Sequence, residues 1–298
     1  MKSEVRAGMG WAARFDPAWW LFRRLKQVAD VLAEPYHQGV IARRRRDDAA
    51  VVRALSPQLR VLNGPFRGLH YAEAAAAGSV IVPKLLGSYE HELHGALLRL
   101  MASSYSDIVD IGCAEGYYAV GLGRHFEHAR IHAFDSDSRA RRLCRQMAWL
   151  NGVAGRMTLS GRCDEPTLLA LLTRMVGARV LLVCDCEGFE AALFSERVVA
   201  QLAPHDLVIE VHERLHPELA AILRRRFEAS HEVLAIDSTD DGRRLRQRLW
   251  FELAAYDAPT RRRLLSEGRE GLMEWLVLTA RRPAGPVATP RADAAMTL

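Results

Sequence analysis

Lysine is almost missing from this sequence: of 41 basic residues only Lys2, Lys26 and Lys84 are lysines, and arginine supplies the rest. Aromatic residues are only 7% of the chain, and they do not interleave with the arginine clusters at 43–46, 224–226, 243–248 and 261–263. The net charge of +5 therefore reads as solvated, arginine-rich helix faces rather than a nucleic-acid-binding stripe. No apolar run approaches the roughly 20 residues that a membrane span needs. The nearest, Ala72 to Pro83, is short and carries Glu73. The start, Met1 to Asp16, shows no apolar leader, so the expected location is the cytoplasm and no membrane partner is expected. Cysteines number five, an odd count in a chain of 298 residues, which excludes a disulfide framework. Cys184 and Cys186 lack a second Cys/His pair at zinc-finger spacing, so they read as reduced, buried thiols and no metal is expected.

What is present is an ordinary globular composition, 49% hydrophobic and 26% charged. Residues 1–57 predict a helical extension. In it Trp19, Trp20, Phe22, Leu25, Val28, Val31 and Leu32 recur at helical spacing, as a docking or homodimer face. Residues 58–282 predict one α/β domain, and the Pro/Ala-rich residues 283–298 a disordered tail. Asn63-Gly64-Pro65 is a turn, and Tyr89 to Leu93 has the look of a capped helix start. From Asp107 short apolar runs alternate with helical stretches. Strands are predicted at Ile108–Ile111, Arg130–Phe134, Met157–Leu159, Val180–Cys184, Leu207–Val211, Glu232–Ile236 and Trp275–Thr279, with helices such as Ala140–Asn151 and Leu168–Val176 between them. This alternation predicts a doubly wound, seven-stranded, mostly parallel sheet of the Rossmann-like kind.

Three strand ends carry chemistry. The first is Asp110-x-Gly112-x-Ala114-x-Gly116, a strand running into a glycine-bearing turn and a helix. Such a turn lets a ligand approach backbone N–H groups. A carboxylate just before the first glycine would repel a pyrophosphate but not a cationic, phosphate-free ligand. About twenty residues on, Asp135 ends the next strand, where an acid can accept both ribose hydroxyls. Asp137 competes for that role but could cap the next helix. The third is Asp185-Cys-Glu187-Gly188-Phe-Glu190, closing the fourth strand, with Glu210-Val-His212-Glu213 closing the fifth.

The glycine turn resembles the Asp/Glu-x-Gly-x-Gly-x-Gly loop of class I methyltransferases, with Ala114 in the middle glycine's place. Asp185 to Glu190 resembles the Asp-x-Glu-Gly-x-Glu signature of FkbM-type methyltransferases, and the likeness covers roughly Asp107 to Glu213. Many members carry a lysine where this chain has Val183, and the acidic pair after the third strand is reduced to Asp164-Glu165. The resemblance implies S-adenosylmethionine as cofactor and O-methylation of a small-molecule acceptor such as a sugar or secondary metabolite. It implies a cofactor site of Glu90, Asp110, Gly112, Ala114, Gly116, Asp135, Asp164 and Asp185.

Methyl transfer to a hydroxyl needs alignment and a proton acceptor. Asp185 would hold the nucleophile or the methionine end, and Glu187 or His212 would be the base; His212 reads equally as a structural histidine. Glu190 reads as a helix-start acid. Asp185, Glu187, Glu210 and Glu213 could hold Mg²⁺, though no spacing demands it. Asp164 could contact adenine or cap a helix, and Glu90 could lie near the cofactor or cap one. Two other functions fit less well. A nucleic-acid methyltransferase would show an Asn-Pro-Pro-Tyr signature after the fourth strand, and a non-catalytic S-adenosylmethionine-binding protein would not need both Asp185 and Glu187.

Overall fold

A computed structural model describes residues 50–213, 217–240, 243, 251–269, 271 and 273–281. The expected extension up to residue 49 and the expected tail at 283–298 lie outside the described residues. The compact unit considered below starts at Val52.

Seven strands build one sheet: β1 (Asp107–Ile111), β2 (Arg130–Phe134), β3 (Met157–Ser160), β4 (Val180–Cys184), β5 (Asp206–Val211), β6 (His231–Asp237) and β7 (Glu274–Ala280). Their order is β3-β2-β1-β4-β5-β7-β6. The first five run parallel, and β7 lies antiparallel between β5 and β6. All seven predicted strands are present, each within a residue or so of its expected ends. β1, β4 and β5 are wholly buried, as largely apolar strands covered on two sides require. The edge strands β3 and β6 are half exposed, and β6 carries the exposed Glu232 and Asp237, charges that discourage edge pairing.

Successive strand residues face opposite layers. Val109, Ile111 and Phe134 join a core with Leu168, Leu171 and Leu172 of α5 (Glu165–Thr173), Val198 and Leu202 of α7 (Glu196–Leu202), and Leu219 and Leu223 of α8 (Leu219–Phe227). Ile131 faces the other layer, where its side chain lies 2.3 Å from the place a Cβ on Gly123 would take. Gly123 belongs to α3 (Tyr117–His125), which packs there with α4 (Ser138–Leu150). Further helices are α1 (Ile81–Leu86), α2 (His94–Met101), α6 (Glu190–Leu193) and α9 (Ala258–Leu265). No described helix is long and apolar enough to cross a membrane.

Helix starts follow their caps. Asp137 accepts from the Arg139 amide and begins α4 at Ser138, two residues ahead of the apolar pattern. Asp164 accepts from the Thr167 amide and begins α5 at Glu165. The expected helix start at Tyr89 is corrected. Gly87, at φ 74°, instead ends α1, its N–H donating to Lys84 and Pro83 carbonyls. A 3₁₀ turn, His91–Leu93, follows, and α2 begins only at His94. Glu90 stands before that turn at φ 49° with no capping bond, because its carboxylate is engaged elsewhere.

One glycine governs the sheet's upper edge. Gly112 has φ 85°, and a Cβ there would lie 1.6 Å from the Asp185 carbonyl oxygen. A Gly112→Ala substitution therefore meets both backbone strain and overpacking, and should cost about 3 kcal/mol or more. Gly155→Ala, where nothing lies within 4 Å, should stay within about 0.5 kcal/mol. Urea midpoints compare the two, and equal, small losses would show that the close approach is not needed.

Candidate functional site

β1 and β4 are neighbours whose connections leave in opposite directions, and ligands of open α/β sheets bind at such a switch point. The two strand ends are tied there: the Asp185 amide donates to the Ile111 carbonyl at 2.9 Å. Gly112 owes its lack of a side chain to that neighbouring backbone, rather than to a ligand. Gly116 is likewise a packing residue, since a Cβ there would meet Val120 and the Cys144 sulfur at 2.9 and 3.0 Å.

Ala114 stands in the left-handed region at φ 48° and turns its amide onto Asp135 Oδ2 at 2.8 Å. The Asp137 amide donates to Asp135 Oδ1 at 2.8 Å. Asp135 is thus clamped at the end of β2, whereas the Asp137 carboxylate is spent on its helix cap. Asp110 is buried, and its Oδ2 has no partner among the described residues. Burial pushes its carboxyl up to about 7, with the Ala119 amide opposing and Asp135 adding repulsion. Asp164 does not reach this site, because Thr167 takes its Oδ1 with both amide and hydroxyl. Its neighbours Arg162 and Cys163 line the cavity instead.

At the β4 end Glu187 (φ 56°) and Gly188 (φ 90°) form a left-handed pair. Glu190 then opens α6, fully buried, and accepts from the Gly188 amide at 3.2 Å and from His212 Nδ1 at 2.8 Å. Burial alone would raise the Glu190 carboxyl, yet the His212 contact and backbone amides hold it below its ordinary value. An ionised carboxylate can only accept, so Nδ1 of His212 carries the proton and Nε2 is the basic nitrogen. Nε2 faces Asp185 Oδ1 at 3.4 Å and Glu187 Oε2 at 3.6 Å. Burial disfavours the imidazolium, but Glu190, Glu210 and Glu187 together raise His212 above 6.5. Asp185 is pushed well above the carboxylate range, first by burial and then by Glu210 and Glu90. About a third of its side chain still opens to the cavity. The ligand atoms of Asp185, Glu187 and His212 lie within 4.8 Å of one another, close enough to share one divalent cation.

Glu90 lines neither cavity. It supports the site from behind, accepting from the Tyr118 hydroxyl and, at 2.6 Å, from Arg269. Burial and repulsion from Glu210 push it up to about 7 against the pull of Arg269. The same guanidinium binds Glu210 and, at 2.9 Å, Glu267. A second buried pair, Lys84 Nζ to Glu115 Oε1 at 2.5 Å, sits on the other side. There Glu115 also accepts from Tyr71 and the Ala77 amide, and Lys84 lies over the rings of Tyr89 and Tyr117 at 4.7 and 5.2 Å. A signal for Lys84 exists in the sequence: a lone lysine inside the apolar run Ile81–Leu86. Arg269 lies in a loop without pattern and offers none.

Two cavities result. The first, about 450 Å³, is lined by the glycine turn, Asp110, Asp135, Arg162, Phe189 and Lys84, among others. The second, about 360 Å³, is lined by His212, Glu210, Glu213, Glu267 and Arg269. Both include Tyr89, Asp185 and Glu187, so they adjoin at those side chains. Of the four non-glycine residues with positive φ among the described residues, Ala114 and Glu187 line these cavities and Glu90 braces them. Strained backbone of this kind collects at functional sites.

No family model matches the chain, and no curated protein matches it. Solved structures similar to it include the O-methyltransferase TomG of Streptomyces achromogenes, involved in tomaymycin synthesis and in complex with S-adenosylmethionine. It is 13% identical over 65% of this chain and 81% of that one, with a TM-score of 0.41. An O-methyltransferase of Bacillus cereus in complex with S-adenosylhomocysteine is 11% identical over 65% of this chain and 82% of that one, with a TM-score of 0.40. A precorrin-6y C5,15-methyltransferase of Geobacter metallireducens is 12% identical over 62% and 87%, with a TM-score of 0.41.

The Lys84–Glu115 pair is fully desolvated, so removing one partner strands a buried charge. Lys84→Met should cost about 3–5 kcal/mol, and adding Glu115→Gln should recover part of that. Thermal unfolding reads both, and losses that simply add would show the pair is not coupled.

Proposed function

We propose that this protein is an S-adenosylmethionine-dependent methyltransferase that methylates a hydroxyl of a small molecule, in the manner of the FkbM-type family. The observation that carries this reading is the meeting of the two cavities at Asp185 and Glu187, with Asp135 in one and His212 Nε2 facing the other. The first cavity fits the cofactor part by part. Asp135 is clamped so that its carboxylate can accept ribose hydroxyls. Arg162 stacked on Phe189 at 4.4 Å offers a flat wall for adenine. Lys84 offers a cation to the amino-acid carboxylate, and Asp110, with its unpartnered Oδ2, an acceptor for the ammonium. The amides of Gly112, Cys113, Ala114 and Gly116 already donate within the chain, which disfavours a pyrophosphate there.

When bound, S-adenosylmethionine supplies a methyl group already activated on a sulfonium. What remains for the chain is alignment and proton removal. The acceptor hydroxyl is placed between Asp185 and His212. With a methyl donor bound, His212 Nε2 would take the hydroxyl proton as the acceptor oxygen received the methyl group, the demethylated cofactor being the leaving group. Glu190 fixes the tautomer from the far side, and Asp185 and Glu187 offset the charge of the imidazolium. The location consistent with this chemistry and with the reduced cysteines is the cytoplasm.

Methyl transfer from labelled S-adenosylmethionine into a small-molecule extract, followed by identification of the product, tests the reading. His212→Ala should lower turnover about 10²–10⁴-fold with cofactor affinity retained. Asp135→Ala should weaken cofactor binding by about 1–3 kcal/mol, and Asp137→Ala by less. His212 is basic only above its own pKa, which Glu190 raises. Activity should therefore fall as pH drops through that value, and Glu190→Gln should move this acid limb to lower pH while reducing turnover roughly tenfold. An acid limb that Glu190→Gln leaves in place would remove His212 as the base.

A further inference from the structure

The second cavity is acidic beyond what methyl transfer asks for. Its described lining holds five carboxylates, Asp185, Glu187, Glu210, Glu213 and Glu267, against a single guanidinium, Arg269. That guanidinium is already saturated. Its Nε faces Glu267, one terminal nitrogen faces Glu210, and the other reaches past the cavity to Glu90. Three carboxylates thus face this one guanidinium, Glu267 accepting also from the Glu90 amide. No other arginine or lysine is found among the described lining residues. His212 is occupied by Glu190 at its Nδ1.

Glu187 leaves 80% of its side chain exposed, so it is placed to meet an incoming molecule. Glu213 is exposed on the same lining. The apolar side chains there are few, Val211 and Met273, and Tyr89 presents the one described aromatic ring. A concave site of one sign concentrates the field on a ligand of the opposite sign.

We infer that the acceptor is a small hydroxylated amine, such as an amino sugar, whose ammonium group is held by Glu187 and Glu213 while its hydroxyl lies between Asp185 and His212. This rests on the methyltransferase reading for the hydroxyl step, but the recognition of the ammonium group does not need the cofactor. Glu187 then acts as a specificity residue, leaving proton removal to His212. A bound sulfonium would supply one positive charge to the site, against the five carboxylates of the described lining.

The test uses the full chain loaded with S-adenosylhomocysteine and two probes that differ by one charge, D-glucosamine and N-acetyl-D-glucosamine. Ligand-observed NMR titration should show glucosamine binding at least about tenfold more tightly, the size of one charge-assisted contact, and more weakly as salt is raised. Glu187→Gln combined with Glu213→Gln, two exposed positions, should abolish most of that preference. Equal affinity for the two probes, preference for the acetylated one, or no binding of either overturns the inference. Failure of S-adenosylhomocysteine itself to bind would instead overturn the methyltransferase reading. Discrimination between the probes, repeated without cofactor, would survive that failure.

Discussion

Two strand ends that come closer than a side chain allows set up everything above them. The turn after β1 passes so near the carbonyl of Asp185 that only glycine at 112 leaves room. The Asp185 amide is in turn bonded to Ile111. The consequence is geometric: the glycine turn and the Asp185-to-Glu190 segment are held as one unit at the point where the chain's connections part. Asp185 therefore belongs to both cavities, and the residues that could hold a methyl donor stand beside those that could take a proton from an acceptor. A Cβ at 112 would push these apart and separate the two halves of the site.

Charge organises the second level. Buried carboxylates are costly unless paired, and this chain pairs them unevenly. Lys84 and Glu115 balance one another, and Glu115 is further satisfied by Tyr71 and Ala77. Arg269 must serve Glu90, Glu210 and Glu267 together. Glu190 is balanced only through His212. Among the described residues the site thus holds more carboxylates than cations, and burial first, then repulsion from neighbouring carboxylates, raises the pKa of Asp110, Glu90 and Asp185. A cationic cofactor and a cationic acceptor would relieve that imbalance, which a phosphate-bearing ligand would not.

The fold is legible in the sequence because its signals are local. Each inner strand is a short, largely apolar run, and the strand ends are marked by Asp110, Asp135, Asp185 and Glu210. The Asp137 cap is legible in the same way, since an acid between a strand and a helix is a local pattern. What escapes is set by contacts far along the chain. Arg269 meets Glu90 across 179 positions, and Lys84 meets Glu115 across 31, with nothing in either neighbourhood naming the partner. Glu190 reads as a helix-start acid and is one, yet its bond to His212 across 22 positions gives it a second role that position in the helix cannot reveal. The helix start expected at Tyr89 fails for the same reason. The Glu90 carboxylate is taken by Tyr118 and Arg269, so no cap forms and the helix waits until His94.

Titration calorimetry of the full-length protein with S-adenosylmethionine, S-adenosylhomocysteine and NAD decides what the first cavity is for. The carboxylate of Asp110 at the glycine turn, the clamped Asp135 and the cation at Lys84 predict saturable binding of both adenosyl compounds at one site. They predict no heat from NAD, whose pyrophosphate would face Asp110. Saturable binding of NAD, with neither adenosyl compound bound, would contradict the account at its foundation.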